Sequence, residues 1–352
     1  MESSQRQVEV MIATPLEADL AARIEAADER VRLLYEPELL PPPRYVSDHK
    51  GDPRFQRDAG GEERWQELLT SAEVLFGVPG ESVAGLEEIL ERCTNLRWVQ
   101  ATNAGTGQQV RESRLRLETL DKVAVTTASG VHATPLAEFS LLGILHFAKE
   151  VPRLSRFKRE RHWERLHARE LRGMKLLVVG LGSIGTEVAR LGRSFGMSVT
   201  GVKRRPGNTE PHVDEVYPPE RLAEILPEAD TVVVTLPLTS DTENLVDAES
   251  IRSLRPGTIF VNVGRGGVVD EDALTEALEV GSIAGAALDV FRQEPLPSDS
   301  RLWELSNVLI SPHSAAASGS ENERIVELFI RNLGRYLEGE SLENRLYLTQ
   351  LY

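Results

Sequence analysis

Short apolar runs alternate along the chain with stretches in which apolar residues return every three or four positions. Val8–Thr14 (VEVMIAT), Val31–Tyr35, Glu73–Gly77, Arg97–Gln100 and Val123–Thr126 have strand character, each bounded by polar or turn residues. Between them, Leu16–Ala27 and Ser82–Cys93 carry helical spacing. This βαβ rhythm predicts a mostly parallel sheet with helices on its faces. Pro41–Gly61 interrupts it with PPP, GDP and GG among mixed charges, which predicts a long surface excursion to which the sequence assigns no function.

A long helix is expected over Ala133–Ala148, with Pro152 helping to end it. A stronger βαβ series starts at Met174: strand Lys175–Val179, a glycine turn, a helix through Phe195 and a strand at Ser198–Val202. Further strands are expected at Thr231–Thr235, Thr258–Val263, Gly285–Leu288 and Val308–Ser311. Glu321–Glu338 reads as one amphipathic helix with Ile325, Leu328, Phe329, Leu333 and Tyr336 near one face. No short repeat and no low-complexity tail is visible. The pattern predicts two α/β domains.

Composition narrows the partners. The chain has 352 residues, 40 Lys+Arg against 55 Asp+Glu, and a net charge of −15, which argues against nucleic acid or an anionic membrane as the main partner. Arg153–Arg172 is locally basic, with eight basic and three acidic residues, and is expected to be a solvated linker or a subunit-contact helix. The single cysteine, Cys93, excludes a disulfide framework and a cysteine-based metal cluster, and fits a reducing compartment. No metal site is expected. Apolar stretches such as Leu141–Leu145 are far too short to span a bilayer, and MESSQRQVEV lacks the regions of a secretory signal. A cytoplasmic protein is expected.

Gly180-Leu181-Gly182-Ser183-Ile184-Gly185 lies between the apolar strand and a helical pattern, which makes GxGxxG a specific signal. Gly180 would permit the tight turn, Gly182 close approach of a pyrophosphate, and Gly185 close helix–strand packing. Ser183 and Ile184 would open the helix whose free N–H groups face the anion. The next strand runs into Lys203-Arg204-Arg205, with no acid until Glu210. A carboxylate there would bind adenosine ribose hydroxyls and repel a 2′-phosphate, whereas this basic triplet attracts one. NADP(H) is therefore favoured, and NAD(H) above a basic solvated turn is the alternative.

Reducing a 2-keto acid also needs a cation for the carboxylate and carbonyl, and a proton donor near neutrality, such as a His supported by a carboxylate. Arg265 follows the strand before NVGRGGVVD, Glu294 lies just past ALDVF, and His313 ends LISPH. All three stand at strand carboxyl ends, where open α/β sheets build their sites. Singly they read as a surface Arg, a turn Glu and a loop His; downstream of a dinucleotide fingerprint they point to catalysis.

These motifs resemble those of the D-isomer-specific 2-hydroxyacid dehydrogenase family over nearly the whole chain. The likeness rests on GLGSIG, LPLTSDT at Leu236–Thr242, NVGRGGVVDEDAL at Asn262–Leu274, ALDVFRQEP and SPHSA. It implies that Arg265 binds the substrate carboxylate and carbonyl, His313 is the general acid/base, and Glu294 holds its ring and raises its pKa. Backbone N–H groups around Ala104 and Gly105 would cradle the carboxylate, although this chain has Gly107 where many relatives have an acid. Pro237, Thr242, Val263 and Asp289 would line the cofactor site, with Asp289 near the nicotinamide amide. Gly130–Glu138 would lie at the hinge, with His132 supporting the site from behind or structural rather than catalytic.

The resemblance further implies two Rossmann-like/flavodoxin-like domains with parallel sheets and a cleft between them. Residues 1–134 plus 318–352 would form the substrate domain, and residues 135–317 the dinucleotide domain. A homodimer joined through the cofactor domain is implied. The activity implied is hydride transfer between NADPH or NADH and C2 of a small 2-keto acid, such as glyoxylate or hydroxypyruvate. A formate dehydrogenase is disfavoured because those relatives carry Gln at the Glu294 position. A phosphoglycerate dehydrogenase is an alternative inside the family, and a cofactor-sensing corepressor-like interaction protein is one outside enzymology.

Overall fold

The computed structural model describes residues 6–114, 122–205 and 210–347. The chain forms two compact units, Met1–Val131 with Ala317–Tyr352, and His132–Ala316.

In the first unit, β1 (Val8–Ile12), β2 (Val31–Leu34), β3 (Val74–Phe76), β4 (Trp98–Gln100) and β5 (Ala124–Thr126) form a parallel sheet in the order β2-β1-β3-β4-β5. Helices α1 (Ala18–Glu25), α2 (Ala59–Ser71), α3 (Val83–Arg92) and α4 (Thr106–Glu112) connect the strands. Every residue of β3 and β4 is buried, as expected of interior strands covered on both faces.

Helix α2 claims the end of the expected excursion. The Asp58 carboxylate accepts the Gly61 N–H at 2.7 Å, and Trp65, Leu68 and Leu69 are buried at one-turn spacing. An N-cap and an apolar stripe outweigh the turn preference of Gly60-Gly61. The preceding loop is also built rather than loose. Asp48, 3% exposed, accepts the N–H groups of Arg44, Lys50 and Gly51 and bonds the Arg44 guanidinium at 2.6 Å.

The second unit opens with α5 (Ala133–Ala148) and α6 (Val151–Glu160). Only Phe157 of the basic α6 is buried, and Trp163 beyond it is 95% exposed. The sheet contains β6 (Lys175–Val179), β7 (Ser198–Val202), β8 (Glu215–Tyr217), β9 (Thr231–Val234), β10 (Ile259–Asn262), β11 (Gly285–Leu288) and β12 (Val308–Ile310). All pairings are parallel, in the order β12-β11-β10-β9-β6-β7-β8. The crossovers include α7 (Ser183–Ser194), α8 (Leu222–Ile225), α9 (Ala248–Ser253) and α10 (Glu271–Glu279). The order reverses at β6, between β7 and β9, and such a reversal is where doubly wound sheets bind ligands.

The final helix, α11 (Glu321–Leu337), packs within the first unit. Its Phe329 stacks on Trp98 at 4.9 Å between ring centroids and meets Phe76 edge-on at 5.2 Å. Ile325, Val326, Leu328 and Leu333 are buried with it, which is where the amphipathic stripe goes. Asn332, fully buried, bonds the N–H and C=O of Glu343 and so anchors the chain beyond the helix.

Candidate active site

Strands β10, β11 and β12 are consecutive in the sheet, so the segments leaving their carboxyl ends emerge side by side. These segments carry Arg265, Glu294 and His313. His313 Nδ1 lies 2.6 Å from Glu294 Oε2, and both side chains are partly exposed. Carboxylate oxygens only accept, so the bond places the ring proton on Nδ1 and leaves Nε2 for a substrate. Glu294 is itself oriented, because its Oε1 accepts the Phe291 N–H at 3.0 Å.

Two further carboxylates shape this corner, and neither role was read from the sequence. Asp289, 1% exposed, accepts the N–H groups of Ser314 and Ala315 at 2.9 Å each and the Ser311 hydroxyl at 2.5 Å. Asp289 thus closes the turn around His313. Glu271, the first residue of α10, accepts the Arg292 N–H at 2.8 Å and steadies the loop between β11 and Glu294. Burial pushes the Glu271 carboxyl above its ordinary range, with the Arg292 N–H acting against that shift. The DEDAL stretch after Arg265 contained this residue, but spacing alone says nothing of its partner.

Arg265 is held from behind. The buried Asn262 side chain donates to the Arg265 carbonyl at 3.2 Å and accepts the Gly264 N–H at 3.1 Å, folding the loop after β10. Gly266 touches the next loop so closely that a Cβ there would stand 1.9 Å from the Phe291 carbonyl carbon. The Arg265 and Glu294 loops are therefore packed backbone to backbone. The guanidinium bonds the Gly264 carbonyl at 2.7 Å and forms no ion pair among the described residues. Burial pulls its pKa down, while the charges of Glu294 and Asp289 act in the opposite direction. A desolvated cation without a bonded carboxylate favours an anionic ligand.

The glycine turn follows β6 at the reversal point of the sheet. Gly180 has φ +109°, and a Cβ on Gly185 would stand 1.9 Å from the Gly180 carbonyl oxygen, so α7 can approach β6 only with glycine there. Nothing lies within 4 Å of the Cβ position at Gly182, which leaves room for a ligand at the turn. Gly182 caps α7 without a side chain, and the N–H groups of Ser183, Ile184 and Gly185 donate to no described residue. An open glycine cradle with spare donors fits a pyrophosphate.

Lys203, Arg204 and Arg205 follow β7. Lys203 Nζ bonds Glu210 at 2.7 Å, so that acid neutralises part of the basic triplet, and Arg204 lies 3.6 Å from Asp241. Arg204 and Arg205 are exposed. Pro237 and Thr242 belong to one turn after β9, where the Thr242 hydroxyl donates to the Pro237 carbonyl at 2.6 Å. Val263 is buried and bonds the Val234 carbonyl from the end of β10.

Ala104 and Gly105 lie in the first unit, after β4, with Gly105 at the N-cap of α4. Glu81 pins the start of this loop through the Thr102 hydroxyl at 2.7 Å and the Asn103 amide at 3.4 Å. His132 occupies the N-cap of α5 without capping it by its side chain. No group of His, Cys, Asp and Glu side chains among the described residues could hold a metal ion.

A GxGxxG turn between the first strand and first helix of such a sheet defines a dinucleotide-binding α/β protein. The model of the D-isomer specific 2-hydroxyacid dehydrogenase NAD binding domain matches residues 141–315. The glyoxylate reductase of Korarchaeum cryptofilum is 35% identical over 263 residues, 72% of this chain and 76% of that protein. A D-isomer specific 2-hydroxyacid dehydrogenase family protein from Aeromonas salmonicida superposes with a TM-score of 0.78 at 29% identity, covering 98% of this chain and 99% of that one. The corresponding enzyme from Xanthobacter autotrophicus Py2, solved with NADPH and MES, gives a TM-score of 0.76 at 28% identity over 99% and 100% of the two chains. The chain belongs to the D-isomer-specific 2-hydroxyacid dehydrogenase family.

Proposed function

We propose that the protein reduces a small 2-keto acid, with glyoxylate and hydroxypyruvate as leading candidates, to the D-2-hydroxy acid using NADPH in preference to NADH. The observation that carries this reading is the 2.6 Å His313–Glu294 bond beside a half-buried Arg265 that has no ion pair among the described residues. Arg265 binds the substrate carboxylate and polarises the carbonyl oxygen. Glu294 holds the ring so that His313 Nε2 delivers a proton to that oxygen, and removes it in the reverse direction. Ala104 and Gly105 contribute backbone donors to the carboxylate. Gly180, Gly182, Ser183, Ile184 and Gly185 hold the dinucleotide, with Pro237, Thr242, Val263 and Asp289 along its path. The dinucleotide, when bound, supplies the hydride.

The glyoxylate reductase relative supports the substrate class, and the NADPH-bound Xanthobacter neighbour supports the cofactor preference. A homodimer is part of the same reading. It is supported by Leu142, Leu154 and Trp163, large apolar side chains exposed on neighbouring segments of the second unit.

The test is turnover followed by nicotinamide absorbance, crossing NADPH and NADH with 2-keto acids from glyoxylate to branched and aromatic ones. Reduction with one cofactor and loss of roughly a hundredfold or more in His313→Ala are expected. Undiminished rates in His313→Ala would remove the proton-transfer assignment. Flat traces despite cofactor binding would favour a cofactor-sensing role.

A further inference from the structure

The loop after β3 carries a residue in a conformation that its side chain makes costly. Gly80 has φ +61°, and Glu81, directly after it, has φ +46°. The left-handed region is free to glycine and strained for a residue with a Cβ, so a second glycine would sit here at less cost. A side chain kept in such a place points to a role for that side chain. Glu81 is also firmly seated. Its N–H donates to the Val78 carbonyl at 2.9 Å, and next to it the Ser82 hydroxyl caps α3 by accepting the Gly85 N–H at 3.0 Å.

Glu81 reaches across to the loop after β4. Its Oε1 accepts the hydroxyl of Thr102, 2% exposed, at 2.7 Å and the side-chain amide of Asn103 at 3.4 Å. Its backbone carbonyl accepts the Gln109 side-chain amide, from within α4, at 2.7 Å. One residue thus holds this loop at its beginning and at the helix that follows it.

Asn103 passes that hold on. Its side-chain nitrogen donates to Glu81, its side-chain oxygen accepts the Thr106 hydroxyl at 2.9 Å, and its backbone carbonyl accepts the Ala128 N–H at 3.0 Å. A donor bond at one end of the amide and an acceptor bond at the other fix its orientation. The next two residues are Ala104, exposed, and Gly105, half-buried, and their N–H groups donate to no described residue. Backbone donors bind an anion best when their direction is fixed before it arrives.

We propose that Glu81 is the positioning residue of the substrate-carboxylate site: its side chain fixes Thr102 and Asn103, and through them the direction of the Ala104 and Gly105 N–H groups. This inference rests on the reading that those two groups receive the carboxylate of a 2-keto acid. Glu81 acts through the loop and not on the reacting atoms. The substrate carboxylate keeps its charge throughout hydride transfer, so its donors act alike on bound substrate and transition state. Loosening them therefore raises KM more than it lowers kcat.

The experiment is steady-state reduction of glyoxylate at saturating NADPH by the unsubstituted chain and by Glu81→Gly, Glu81→Gln and Thr102→Val. The thermal midpoint and NADPH affinity of each are measured alongside. Glu81→Gly removes the strain together with the anchor, so its midpoint is expected to stay within about 3 °C of the parent's. Its NADPH affinity is expected to be unchanged. Its KM is expected to rise roughly tenfold or more, with kcat kept within about twofold. Glu81→Gln keeps an oxygen that accepts from Thr102 and Asn103, and is expected to return KM close to the parent value. Thr102→Val removes one of the same bonds from the other side and is expected to raise KM too, which decides the matter however Glu81→Gly folds. A parent KM in both Glu81→Gly and Thr102→Val overturns the proposal and leaves the reductase reading standing. So does a fall in kcat without a rise in KM, or a Gln variant as impaired as the Gly variant. No turnover of any 2-keto acid by the unsubstituted chain, with NADPH bound, overturns the reading and the proposal with it.

Discussion

Asp289 holds His313 in place through the backbone. Its carbonyl accepts the His313 N–H at 2.9 Å, while its carboxylate closes the turn at Ser314 and Ala315. His313 sits at φ +52°, a left-handed conformation that costs a residue with a Cβ about 1–2 kcal/mol. The three bonds to one carboxylate oxygen offset that cost. Asp289→Ala is therefore expected to lower kcat roughly a hundredfold, as a displaced proton donor does, whereas Asp289→Asn keeps an acceptor for the two N–H groups and loses less. Steady-state kinetics of both variants check the order, and equal losses would assign the effect to charge alone.

Cofactor preference is expected to rest on the exposed Arg204 and Arg205 more than on the half-buried Lys203, which bonds Glu210 at 2.7 Å, whereas Arg204 lies farther from its acid, 3.6 Å from Asp241. Replacing both arginines by Ser should weaken NADPH binding by roughly tenfold or more and leave NADH nearly unchanged. Fluorescence titration of the two cofactors measures this directly. Equal affinities in the parent protein would instead mean that the turn does not read the 2′-phosphate.

Asp48 makes a pH dependence specific to the first unit. Its bonds to Arg44, first through the side chain, hold the carboxyl well below the usual range despite burial. A depressed folded-state pKa contributes stability that is fully present above the unfolded value near about 4 and is lost as pH falls through the folded value. Asp48→Asn should cost about 3 kcal/mol near neutrality, and the gap to the parent protein should narrow below about pH 4. Denaturant midpoints across that range give the curve, and a gap independent of pH would mean that the charge contributes nothing.

Cys93 is expected to resist thiol reagents. The side chain is buried at the end of α3, and burial, aided by the Glu88 carboxylate, pushes its thiol up to about 12. Thiolate is the reactive form, so labelling at neutral pH should require unfolding. Mass spectrometry after maleimide treatment, with and without denaturant, reads the result; rapid native labelling would show that α3 opens readily.

Sequence and structure divide the account of this protein along a physical line. The interior strands were legible because Val232–Val234 and Ile259–Val261 are buried on both faces, and an unbroken apolar run has few other ways to be satisfied. Helix α11 was legible because its apolar stripe keeps one period over 17 residues. GLGSIG was legible because its glycines are required by close approach and by φ +109° at Gly180, which are local demands. Helix α2 was hidden by Gly60-Gly61, whose turn preference gave way to a cap and a core that lie outside a short window.

By itself, then, the sequence determined which residue types stand at the ends of which strands: Arg265, Glu294 and His313, and the glycine turn. Only the tertiary structure decided their company. The His313–Glu294 bond requires β11 and β12 to be neighbours, and the carboxylate of Asp289 became the closure of the His313 turn through backbone groups that have no signature in sequence. Likewise, Glu210 draws charge from the basic triplet, and Asn322 meets Glu17 across 305 positions of chain. Periodicity and local backbone demands are written in neighbouring residues, whereas pairing of charges and sharing of hydrogen bonds depend on which distant segments the folded sheet brings together.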